Sequence, residues 1–148
     1  MTWYEFKHIT SNAAIEAYRA SSGVFASLLT EVKELSKKKP EASISPGKVK
    51  IINRVLKDLL TFLKEEPPGK YLELLDDETL PQMSDALLVM VQYAAALTSF
   101  EQRYHRHVRE LGGRFWITKE RVAEWVEQEA ELHGDEEGEE DEDGENFG

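Results

Sequence analysis

Apolar side chains recur every three to four residues in successive stretches of this chain, and that rhythm leaves little choice but helices packed along their lengths. Val49, Ile52, Leu56, Leu59 and Leu63 alternate by threes and fours, flanked by Ile51, Val55, Leu60 and Phe62. Met83, Leu87, Met90, Ala94, Leu97, Tyr104, Val108 and Leu111 keep the same count, broken only where Glu101 takes a place, beside a second stripe of Ala86, Val89, Tyr93, Ala96 and Phe100. Tyr18, Phe25, Leu29 and Val32 mark a face upstream, and Val122, Trp125 and Val126 a shorter one downstream. No run of alternating β-type residues and no internal repeat competes with this pattern.

Boundary residues set the expected lengths. The first helix should open at a Thr2-x-x-Glu5 capping box and run to Lys38, with a break near Thr10-Ser11-Asn12, until Pro40 stops it. Ser45 caps the second helix with Pro46 at its first position, and Glu66-Pro67-Pro68-Gly69 ends it. A short connector helix is expected at 71–75. Thr79-x-x-Gln82 reads as a further capping box, opening a helix that extends to Leu111 and ends at Gly112-Gly113. Thr118 caps the last helix, with Ile117 and Val122 spaced as a hydrophobic staple. The expected fold is therefore all-α, an antiparallel bundle of about four main helices plus the connector. It would occupy residues 1–133 as one domain, followed by a disordered acidic tail at 134–148.

Charge supports that division. The net charge is −11, but residues 134–148 hold nine acids and no base, which leaves 20 acids against 18 bases in the rest of the chain. Such a tail has too little apolar surface to offset its ordering entropy. The chain has no cysteine, which excludes disulfides and thiolate chemistry and suits a reducing compartment, so the expected location is cytoplasmic. The start of the sequence shows no basic leader with an apolar run behind it. Residues 86–97, the most apolar stretch, are interrupted by Gln92 and fall short of the roughly 18 residues a spanning helix needs, so a core position and no membrane contact are expected.

The segment Glu101-Gln102-Arg103-Tyr104-His105-Arg106-His107 departs from the apolar pattern. On a helix, Arg103 and His107 would lie one turn apart on one face, able to share an anion or a scissile phosphate. Their Arg-x-x-x-His spacing resembles the Arg-x4–6-His motif of HEPN-type ribonucleases, which are small helical bundles. It is one residue shorter, and Tyr104 stands where those enzymes often carry a polar neighbour. The resemblance implies His107 as general base and Arg103 as the cation that stabilises phosphate charge. A plainer reading gives Arg103, His105, Arg106, His107 and Arg109 to the negative end of the helix dipole, with Glu101 as an internal partner of Arg103, Arg19 or Arg54.

Lys50, Arg54, Lys57 and Lys64 form a basic helix face, either solvated or a nucleic-acid patch for which the acidic tail would compete. Glu101, Tyr104, Phe115, Trp116 and Trp125 are the candidates for contact with a partner. The histidine spacings offer no metal site, and no glycine-rich phosphate loop, nucleophile elbow or dinucleotide fingerprint calls for a cofactor. The leading expectation is a non-enzymatic interaction module, a small subunit, adaptor or inhibitor of a larger complex that binds another protein or a second copy. Two alternatives stand beside it: a HEPN-like ribonuclease using Arg103 and His107, and a nucleic-acid binder gated by the tail.

Overall fold

A computed structural model describes the backbone of residues 3–145 and the side chains of residues 3–133. Helix α1 spans Asn12–Lys38, α2 Pro46–Leu63, α3 Met83–Tyr104 and α4 Lys119–Glu145. A short 3-10 helix, Pro67–Tyr71, follows α2, and a two-stranded hairpin of β1 (His105–Val108) and β2 (Gly113–Trp116) stands between α3 and α4. The helical bundle expected from the periodicity is present. The disordered tail expected at 134–148 differs in its first part, where the backbone continues α4 to Glu145; residues 146–148 lie outside the described residues.

Helix α1 begins later than the sequence suggests. Ser11 is its N-cap, the hydroxyl accepting from the Ala14 N–H at 3.2 Å, and residues 3–10 are not helical. Thr2 of the expected capping box lies outside the described residues, and Glu5 stands before any helix. The reason is aromatic burial: the Trp3 and Phe6 rings pack 5.4 and 5.8 Å from Trp125, contacts that a helix continued through Thr10 would give up.

The connection after α2 also differs. The connector helix expected at 71–75 lies earlier, as the 3-10 turn Pro67–Tyr71 built on the Pro67-Pro68 pair, and from Leu72 the chain runs extended. The Asn53 side chain holds that return segment, donating to the Leu75 carbonyl and accepting from the Leu75 N–H, both at 2.8 Å. The Tyr93 hydroxyl donates to the Glu73 carbonyl at 2.8 Å. Ile44 N–H donates to the Pro81 carbonyl at 2.9 Å, so α2 and α3 start side by side. They also end side by side, where Phe62 meets Phe100 at 5.0 Å. An extended return therefore makes α2 and α3 parallel, and only α1 runs antiparallel to its neighbours, with Phe25 against Tyr93 and Tyr18 against Phe100. Thr79 caps no helix: its hydroxyl donates to Asp76 at 2.6 Å, and Gln82 is the N-cap instead.

Helix α3 stops at Tyr104, not at Leu111. Beyond it, His105 pairs with Trp116 and Val108 with Gly113 in antiparallel register, and the Tyr104 carbonyl accepts from the Ile117 N–H at 2.8 Å. Gly112, at φ +68°, turns the hairpin in the left-handed region that glycine enters freely. The same glycine pair would suit a helix end, which is how the sequence pattern presents it. With 22 residues and an 18-residue stretch of mean hydropathy 1.3, α3 is by length and composition long and apolar enough to cross a membrane, unlike the shorter run at 86–97. In the fold its Ala86, Met90, Tyr93, Ala96 and Phe100 are buried against α1 and α2.

Two apolar clusters result. The larger fills the space among α1, α2 and α3. The smaller centres on Val108, Ile117 and Trp125, with Trp3, Tyr4, Phe6, Phe115 and Val122 around them. It caps one end of the bundle, and Thr10 ties it shut: its N–H donates to the Ile117 carbonyl and its carbonyl accepts from the Lys119 N–H, both at 2.9 Å. Thr118 caps α4 as expected, accepting from the Arg121 N–H at 3.2 Å.

A basic candidate site at the seam between bundle and cap

The end of α3, the first strand of the hairpin and the N-terminal segment meet where the two clusters adjoin. Lys7, His8, Arg103, Arg106 and His107, together with Glu5 and Phe6, line a cavity of about 170 Å³ there. Arg103 is the penultimate residue of α3, and Arg106 and His107 are carried by β1. Thr10 and Phe6, fixed to Ile117 and Trp125, hold Lys7 and His8 in place. Arg103 and His107 therefore share no helical face, as the spacing had suggested, because β1 intervenes. They share a cavity wall instead.

The Arg103 Nη2 donates to His8 Nδ1 at 3.1 Å. A guanidinium has no acceptor to offer, so Nδ1 carries the lone pair and the proton of the neutral ring sits on Nε2. Partial burial, followed by the charges of Arg103, Lys7 and Arg106, holds His8 below the usual histidine range, with Glu66 opposing. Glu66 is occupied by the Tyr104 hydroxyl at 2.8 Å. Burial first, and then this bond, pushes the Tyr104 hydroxyl up to about 12, against the pull of Arg103. The Nε of Arg103 is buried with no hydrogen-bond partner, and among the described residues Arg103 forms no ion pair. A half-buried guanidinium with a spare donor is an unfinished arrangement that an anion would complete.

The other expected site residues are placed apart. Glu101 is exposed and accepts from the Tyr18 hydroxyl at 3.2 Å, joining none of Arg103, Arg19 or Arg54. It lies on the outer surface of the α1 and α3 pair, so the internal lock expected of it does not form. Trp125 is buried in the cap, with Phe115 edge-on at 6.1 Å. Trp116 packs against the larger cluster, 5.0 Å from Tyr18, and lies 4.8 Å from His105. Tyr104 is buried, with its hydroxyl on Glu66. These aromatics anchor the fold itself. Lys50, Arg54 and Lys57 line an open concavity of about 610 Å³ with Ile51, Asn53 and Asp77, and Lys64 is not among its walls. Among the described residues no group of three or more histidine, aspartate or glutamate side chains stands close enough to hold a metal.

Lys7 and His8 were not singled out by the sequence. The one signal that could have pointed to them is the aromatic spacing of Trp3, Tyr4 and Phe6, unusual for a solvent-facing start and suggestive of a segment that folds back.

Fold and site together define a small helical bundle whose capped end holds a cationic recess. No family model, curated protein or solved structure matches this chain.

Proposed function

We propose that the chain is a non-enzymatic helical interaction module, a small subunit or adaptor that captures an anionic group of its partner in the recess around Arg103. The observation that carries this reading is the buried Arg103 Nε with no acceptor. A buried donor left unpaired costs about 1–3 kcal/mol, more when charged, and an anion in the recess offsets part of that cost through the charge of the same guanidinium. Binding is favoured over turnover by His8, whose Nδ1 is taken by Arg103 and whose partial burial and cationic neighbours disfavour its protonation. It presents an N–H donor and no free basic nitrogen.

Retention on an immobilised polyanion tests this. The wild type should be held despite its net charge of −11 and released by salt, and Arg103→Ala should elute markedly earlier while Lys57→Ala elutes with the wild type. Equal elution of Arg103→Ala and wild type would end the reading.

The shared cavity of Arg103 and His107 favours a second reading, ribonucleolytic cleavage with His107 as base. It requires that His107→Ala abolish RNA cleavage with helicity unchanged. A wild type that leaves RNA intact rules it out.

A further inference from the structure

Resting on the anion-capture reading of this recess, we infer that its ligand is a phosphate dianion, either free phosphate or the terminal phosphate of a small ester. The charge of the wall selects for it. Lys7, Arg103 and Arg106 face a single lining carboxylate, Glu5, and Glu66 behind the wall is engaged by the Tyr104 hydroxyl. The lining thus carries a positive excess of two. A phosphomonoester brings about −1.5 to −2 near neutral pH, whereas a carboxylate or a phosphodiester brings a single charge.

Donor number points the same way. The Arg103 and Arg106 guanidiniums, the Lys7 ammonium and the His8 ring line the cavity, and their donors outnumber what the two oxygens of a carboxylate use and suit the three terminal oxygens of a phosphate. Size sets a limit. A volume of about 170 Å³ is that of five or six waters at ~30 Å³ each, room for a phosphate and the first atoms attached to it, with the Phe6 ring as the apolar wall for those atoms. A nucleobase or a second phosphate would have to remain outside.

The test uses the full chain, titrated with inorganic phosphate, phenyl phosphate, dimethyl phosphate and acetate and followed by calorimetry and by the imidazole ¹H–¹⁵N resonances of His8 and His107. Both dianions should shift these resonances, and dimethyl phosphate and acetate should bind at least about ten-fold more weakly. Arg103→Ala should reduce phosphate binding by about ten-fold or more, Arg103→Lys should recover part of it, and Lys57→Ala should leave it unchanged. Circular dichroism confirms that each variant is folded. Tighter binding of phenyl phosphate than of phosphate assigns the site to an ester seated against Phe6, and equal or weaker binding assigns it to free phosphate.

Dimethyl phosphate or acetate binding as well as phosphate would overturn the dianion inference and leave the anion recess standing. Absence of phosphate binding would do the same if polyanion retention still depended on Arg103. Loss of both dependences would remove the inference and the reading beneath it together.

Discussion

In the bundle, Val49, Leu56, Leu59 and Leu63 on α2 and Ala86, Met90 and Tyr93 on α3 have essentially no exposed surface, whereas among the described residues the cap has a buried centre of only Val108, Ile117 and Trp125. The bundle draws its core from long regular helices. The cap draws its core from chain regions far apart in sequence, as in the bond from the Trp3 indole to Glu129 at 3.0 Å across 126 positions. Few buried contacts and long closures give the cap the lower local stability. The basic recess sits on the boundary, with Arg103 from the stable part and His8, Arg106 and His107 from the weaker one. Rigid placement of one wall and adaptability of the other follow from that position, and a ligand that binds both would fasten the cap to the bundle.

The largest effect should come from the bundle. Leu59→Ala removes a fully covered side chain and should lower stability by about 2–5 kcal/mol, with far-ultraviolet and tryptophan signals falling together in urea. A tryptophan transition at higher urea than the far-ultraviolet one would mean that the cap outlives the bundle. Trp125→Ala should act locally, accelerating amide exchange in β1, β2 and the first turns of α4 while shifting the helical midpoint by less than Leu59→Ala does. An equal shift would break the distinction between the two cores.

Tyr104→Phe removes a buried hydroxyl bonded to a carboxylate at the boundary and should cost about 1–3 kcal/mol, measured by denaturant unfolding at pH 7. The same hydroxyl, with that of Tyr93, gives a pH signature. Both are pushed up to about 12, each by burial first. A phenol held above its unfolded value of about 10 stabilises the fold fully below pH 10, and the contribution disappears as pH rises through 12. Absorbance at alkaline pH should show Tyr93 and Tyr104 ionising late, with stability declining across that window. Ionisation of Tyr104 near 10 would show that the cap opens before the bundle. The smallest effect is Thr118→Ala, about 1 kcal/mol from the lost N-cap, visible in α4 alone.

What the sequence disclosed follows the same divide. The face of α2, the Ser45-Pro46 start and the Thr118 cap are local signals read over one or two turns, and all three stand where expected. His105 to Val108 could not be read this way, because Tyr104, Val108 and Leu111 keep a helical count even though the strand pairing of His105 with Trp116 wins. That outcome depends on Ile117 reaching the Tyr104 carbonyl, a tertiary fact. The recess was half legible. Arg103 and His107 stood out as polar residues against an apolar stripe, but His8 gains its role only once Thr10 is fixed beside Thr118, 108 positions along the chain. The parallel course of α2 and α3 was hidden in a loop whose composition permits a turn of helix as readily as an extended return.

The pairing of Thr10 with Thr118 is parallel, and its two hydrogen bonds lie between the start of α1 and the start of α4. Tension applied to the two ends of the molecule would pull these segments past each other lengthwise, so both bonds would bear the load at once in shear instead of opening one after the other. The three-helix bundle lies outside that line of force and would feel no strain until the clasp gave way. Its rupture would dismantle the recess before any helix of the three-helix bundle unwound.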